Sequence, residues 1–161
     1  MAVSPVSMTY FLRWMYLLSL AVWLGSIVFF SFFAGPSIFQ TLPKEEAGKV
    51  VSGIFPKYYR MGYACVALAL VSLGGLNWKK GLPGAPAGLL LVMAAGTLLM
   101  DIGIAPRVRA LKAELSKSRG ETRPTLESRF KRWHGLSMAV NLMVLLLGIA
   151  VLGWTAMHLE I

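Results

Sequence analysis

A few ionisable side chains interrupt the apolar runs of this sequence, and they are the residues that could do chemistry. Asp101 lies about one helical turn inside the end of one run, and His134 lies at the start of the next. Ser137 and Asn141 follow His134 at helical spacing. An Asp–His pair can bind a divalent metal, relay a proton or hold two helices together. The bundle can gather Asp101, His134 and Asn141 into one polar cluster, and we take Asp101 and His134 as candidate metal ligands.

Two tyrosines and an arginine belong to the same predicted depth in the protein. The complete set of predicted ligand-binding or gating residues is Asp101, His134, Ser137, Asn141, Tyr58, Tyr59 and Arg107. A structural interpretation stays open beside the functional one. In that interpretation Asp101 pairs with Arg107 or another arginine, and His134 only caps a helix interface.

The elements that must position these residues are four stretches without Lys, Arg, Asp or Glu. The stretches are 14–43, 61–78, 81–100 and 133–159, and together they hold 95 of the 161 residues. Each can supply the roughly 18 to 20 apolar residues that cross a bilayer as a helix. The mean hydropathy of +0.65 agrees with this interpretation.

The sequence thus predicts an all-α membrane protein, a four-transmembrane-helix bundle in a single domain, residues 1–161. The expected spans cover about residues 10–35, 57–78, 84–105 and 133–158. A short interfacial helix over about 43–55 is expected to end or kink at Pro56, because Pro43 suits a first helical turn and an apolar stripe follows. Pro36, Pro56 and Pro106 recur at the inner span ends, where interrupted helices often line a site or a hinge.

Residues 106–132 are predicted to form a cytoplasmic helical hairpin between spans three and four, with a break at Ser118-Arg119-Gly120. With its two arms included, each of the last two helices would be about 34 residues, or about 50 Å, long. A hydrocarbon core of about 30 Å is shorter, so the hairpin should project from the membrane.

The distribution of the net charge of +9 predicts an orientation. Arg13, Lys79 and Lys80 fall on one predicted side, and the thirteen other basic residues fall on the other. Loops one and three should therefore lie in the cytoplasm and both termini outside, in the cell (inner) membrane. The bilayer accounts for the basic charge, and a nucleic-acid partner is not needed.

Sequence patterns of catalysis are absent, so no enzyme and no particular cofactor is predicted. There is no Cys pair, phosphate-binding Gly loop or nucleophile elbow. His134 and His158 are the only histidines. They stand about 36 Å apart on one helix and cannot both ligate a haem iron.

Several strings resemble the transmembrane protein 205-like family, small four-span membrane proteins of bacteria and eukaryotes. The strings are Phe39-Gln40-Thr41-Leu42-Pro43, Ile54-Phe55-Pro56-Lys57-Tyr58-Tyr59, Pro106-Arg107, and Arg132-Trp133-His134-Gly135-Leu136-Ser137 with Asn141. The resemblance implies a four-helix membrane fold and no particular reaction. It carries over Pro36, Pro43, Phe55, Pro56, Tyr58, Tyr59, Pro106, Arg107, His134, Gly135, Ser137 and Asn141, but not Asp101.

Three functions stay open at the level of sequence. The first is a membrane protein that binds or moves a small solute or cation through the polar cluster, acting as a homo-oligomer because four spans make a thin wall for a pathway. The second is an accessory or assembly subunit whose hairpin grips a larger membrane complex. The third is a haem or metal membrane enzyme.

Overall fold

The computed structural model describes residues 5–77, 83–118 and 122–158. Within these ranges the secondary structure is helical throughout, and no strand occurs. The elements in chain order are α1 Pro5–Val28, π1 Phe29–Ala34, α2 Gly35–Thr41, α3 Lys44–Leu76, α4 Gly84–Leu98, π2 Leu99–Ile104, α5 Ala105–Lys117 and α6 Arg123–His158. The segments π1 and π2 are π-helices.

Continuous runs of these elements form four long helices. The first consists of α1, π1 and α2, the second of α3, the third of α4, π2 and α5, and the fourth of α6. Each is long and apolar enough to cross a membrane. The predicted four-helix architecture is confirmed at this level. The predicted end of the second span at residue 78, Lys79, Lys80 and Arg119 lie outside the described residues.

Interhelical contacts at both ends show that the four helices run alternately up and down. Near one end, the Tyr16 hydroxyl lies 3.2 Å from Thr155 Oγ1, so the start of α1 meets the end of α6. At the other end, the Lys112 side chain of α5 covers Gly48 near the start of α3. We call this second end, formed by α2, α5 and the first turns of α3 and α6, the basic end, because most Lys and Arg residues lie there.

The surface of the bundle is largely apolar. Val71 and Ile102 are 71% and 69% exposed, whereas Leu20, Leu90 and Val151 are fully buried between the helices. Large apolar side chains on the outside are unfavourable in water and favourable against lipid chains. The burial pattern therefore agrees with a multi-pass membrane protein.

Pro36, Pro56 and Pro106 lie within the long helices rather than at their ends, which differs from the prediction that they interrupt the spans. Pro36 and Pro106 each follow a π-helix by two residues, and the chain continues as α-helix beyond them. A proline ring clashes with the carbonyl four residues earlier. The extra residue of a π-helical turn shifts that carbonyl and lets the helix continue. Pro43 immediately precedes α3, where a proline is tolerated.

A separate interfacial helix over about 43–55 is not confirmed. Residues 44–55 are the first third of α3, and Pro56 lies inside that helix. An interior proline costs about 3 kcal/mol. Packing on both sides of Pro56 offsets this cost. Ala47 and Gly48 are buried before it, and Phe55 stacks on Tyr59 across it with ring centroids 5.7 Å apart.

Candidate functional site

The first polar link between helices joins α6 to α3 and π1. The Tyr58 hydroxyl donates to Asn141 Oδ1 over 3.0 Å, and Asn141 Nδ2 donates to Ser31 Oγ over 2.9 Å. Asn141 thus uses both ends of its amide on two different helices. Interhelical hydrogen bonds of this kind hold membrane helices together, because lipid offers no competing partners.

The second polar link joins π2 to α3. The Tyr63 hydroxyl donates to Asp101 Oδ2 over 3.2 Å. Asp101 is half-buried, and no ion pair to it occurs among the described residues. The alternative in which Asp101 pairs with Arg107 is therefore not found. Instead, the Arg107 guanidinium lies 4.8 Å from the centre of the Trp133 ring, a cation–π contact.

The two links lie at matching places in the first and third long helices. The π-helices Phe29–Ala34 and Leu99–Ile104 are separated by 70 residues, as are Ser31 and Asp101. Pro36 and Pro106 show the same separation. In each case the residue before the proline donates its backbone N–H five residues back. The chain therefore builds the same π turn twice, with a polar residue in its third position.

A cavity of about 10 Å³ lies beside the first link and is lined from all four long helices. Its lining residues are Trp23, Ile27, Tyr58, Tyr59, Gly62, Thr97, Met100, Asn141 and Val144. Three of the seven predicted residues, Tyr58, Tyr59 and Asn141, line this cavity, and Asp101 does not.

No hydrogen bond or ion pair joins His134 to Asp101 among the described residues. His134 is exposed, and its ring stacks on that of Phe130 with centroids 5.7 Å apart. The Ser137 hydroxyl donates to the His134 carbonyl within the same turn, over 2.7 Å. At this level α5 packs against Trp133 of α6. This contact leaves His134 on the outside.

The metal site at Asp101 and His134 stays a prediction. In the described part of the chain, no group of three or more His, Cys, Asp and Glu side chains could hold a metal ion. An Asp and a His without mutual contact supply fewer than the four ligands of a structural zinc site.

Sequence reasoning missed three residues of this region: Ser31, Tyr63 and Trp23. Ser31 lies in an apolar run as an unremarkable small residue, and Trp23 reads as a packing residue there. A usable signal was present, since a polar residue stands five positions before a proline in both the first and the third long helix. For Tyr63 and Trp23 the sequence carries no such signal, because only the rotation of packed helices turns them inward.

Comparisons with known proteins give one family and one relative. The profile of a domain of unknown function, DUF4149, matches residues 18–117. An uncharacterised protein of Aquifex aeolicus (strain VF5) is 36% identical over 131 residues, which cover 81% of this chain and 85% of that protein. No solved structure matches. The matched profile includes both π-helices, Ser31, Asp101 and the second long helix between them.

Proposed function

The chain belongs to the DUF4149 family, and on that premise we propose that it binds or moves a small solute or cation at its second π turn, Leu99–Ile104. It is an integral membrane protein by its four long apolar helices. We also propose that the chain is related to the transmembrane protein 205-like family, because the positions that the resemblance carries over include Pro36, Pro106 and Asn141.

The observation that carries the proposal is the π turn at Asp101. Pro106 has no backbone N–H, so one carbonyl oxygen in the preceding turn lacks its helical partner. The Asp101 carboxylate lies in that turn and receives a hydrogen bond from Tyr63. A carboxylate beside an unpaired carbonyl is an arrangement that transporters use for cations at interrupted helices. Asp101 is the only acidic residue in the four predicted spans, residues 10–35, 57–78, 84–105 and 133–158.

The orientation belongs to the same proposal. With most Lys and Arg at the basic end, this end would face the cytoplasm and both termini would lie outside. α5 and the first turns of α6 would then form a hairpin that projects beyond the membrane. A pathway along Asp101 would need a second copy of the chain, because Asp101 is only half-buried within one bundle.

Ligand-induced stabilisation tests the binding step. The purified protein in nanodiscs would be heated in the presence of Na⁺, K⁺, Mg²⁺ or an organic cation, each in turn. A ligand at 100 times its Kd stabilises the folded state by about 2.7 kcal/mol. We expect this stabilisation in the wild type, its loss in Asp101→Asn and its retention in Glu114→Gln. Glu114 is an exposed residue of α5, so the control removes the same charge away from the π turn.

An equal response of the two variants would refute the proposed site, and the absence of any response in the wild type would refute cation binding. Flux through proteoliposomes of the same variants then separates binding from movement.

A second candidate function, an accessory subunit of a membrane complex, is favoured by the helical pair at the basic end. α5 contacts α6, and exposed charged residues such as Arg109, Lys117 and Arg129 cover the pair. Purification under native conditions distinguishes this candidate. A stoichiometric partner lost on neutralising these residues would support it, and a pure homo-oligomer would contradict it.

A further inference from the structure

Among the described residues, one buried side-chain oxygen makes no hydrogen bond. The hydroxyl of Tyr59 is buried and makes no hydrogen bond, and the whole residue is only 2% exposed. Leaving a buried hydroxyl unsatisfied costs about 1–3 kcal/mol. It is the one inaccessible side-chain nitrogen or oxygen without a partner among the described residues, which indicates a partner that is not part of the protein.

The cavity lined by Tyr59 has the size that such a partner needs. Its volume of about 10 Å³ is close to the space that one water molecule requires. A solute larger than water does not fit. The other polar residues on its wall are Trp23, Tyr58, Thr97 and Asn141. A buried water needs two to four such partners, which this wall can supply.

Trp23 adds a hydrogen-bond donor beside Gly62. Its Nε1 lies 3.3 Å from the place where a Cβ on Gly62 would stand, and the residue is 2% exposed. An indole N–H can only donate, and no acceptor for it is found among the described residues. The missing side chain of Gly62 is what leaves this space open. A donor aimed at the space disfavours a cation there and favours an oxygen lone pair.

We propose that this cavity binds one water molecule, which accepts from Trp23 Nε1–H and hydrogen-bonds to the Tyr59 hydroxyl. The water is separate from the proposed site at Asp101, since Asp101 does not line the cavity. It adds α1 to the polar layer that Tyr58, Asn141 and Ser31 form. The centre of the bundle is then hydrated at this level, although its surroundings are apolar.

Hydroxyl-radical labelling of the wild type in H₂¹⁸O tests the proposal directly, because radicals formed from a bound water label the side chains around it. Tyr16 is the matched control. It is 4% exposed, its hydroxyl is paired with Thr155, and it does not line the cavity. We expect ¹⁸O on Tyr59 several-fold faster than on Tyr16. Equal, slow labelling of both tyrosines would overturn the proposal.

Two substitutions give a second test through thermal stability. If a water is bound, Tyr59→Phe removes one of the hydrogen bonds of that water and should lower the Tm. In a dry cavity the same change removes an unsatisfied hydroxyl and should raise the Tm.

Gly62→Ala places a Cβ against Trp23 and Thr97 and should expel the water. We expect it to lower the Tm in the Tyr59 protein, where it strands the hydroxyl, and to lower it less in the Tyr59→Phe background. Additive effects of the two changes would contradict a shared water.

Discussion

Replacing Asn141 tests whether the first polar link holds the bundle together. Asn141→Leu keeps a side chain of similar size and removes the hydrogen bonds to both Tyr58 and Ser31. Interhelical hydrogen bonds in a membrane contribute on average about 0.6 kcal/mol, and at most about 1.7 kcal/mol. Two lost bonds therefore predict a decrease of about 1.2 kcal/mol in the free energy of unfolding, with an upper bound near 3.4 kcal/mol. Tyr58 is half-buried, so its unpaired hydroxyl moves the value upward from the average.

The assay is reversible unfolding in mixed micelles, followed by the change in helical signal. Tyr58→Phe and Ser31→Ala each remove one bond, and each should cost about half as much as Asn141→Leu. Ser137→Ala is the control, because the Ser137 hydroxyl bonds only to the His134 carbonyl of its own turn. The reasoning is refuted if Asn141→Leu is no more destabilising than Ser137→Ala, or if the effects of Tyr58→Phe and Ser31→Ala do not approach its effect when combined.

Three further outcomes follow from the same contacts. Gly148→Ala should lower the free energy of unfolding by about 1–3 kcal/mol, because its Cβ would clash with a Leu24 methyl. Gly153→Ala on the same helix meets nothing within 4 Å and should be neutral or stabilising; equal Tm values for the two variants would contradict this packing. Tyr63→Phe should weaken any cation stabilisation less than Asp101→Asn does, and an effect as large would make the hydroxyl a ligand in its own right. Elemental analysis of His134→Ala should give the metal content of the wild type, and a metal lost with this residue would support the predicted site.

The length and continuity of the apolar runs were enough to predict the four helices. A run of about 18 to 20 residues without charge has few other stable solutions in lipid, where every backbone group must be bonded internally. Tyr58 and Asn141 were placed at one depth from the sequence, and they do form a hydrogen bond. Depth along a helix can be counted from residue numbers, because each residue adds about 1.5 Å.

Direction around the helix axis could not be predicted as well. His134 and Asn141 are seven residues apart, which puts them on nearly the same face of an ideal helix. Asn141 nevertheless reaches Ser31, while His134 is exposed. The difference comes from the neighbour at each level, since α5 packs on Trp133 beside His134 and π1 packs on Asn141. Similarly, the sequence predicts a helix end or kink at Pro56, and the packing on both sides of Pro56 keeps α3 continuous.

The repeated π turn explains why one of its copies is the better candidate for binding. Both copies expose a carbonyl before a proline, and both hold a polar side chain that bonds to a helix of the other half of the chain. Ser31 is neutral, and its bond to Asn141 joins the first helix to the fourth. Asp101 is acidic, and its half-buried carboxyl group receives only one hydrogen bond, from a tyrosine hydroxyl. A charge that stays unbalanced in this setting is costly unless a cation or proton accompanies it. On the proposed function, the copy at Ser31 would fix the helices and the copy at Asp101 would be the one that binds a cation.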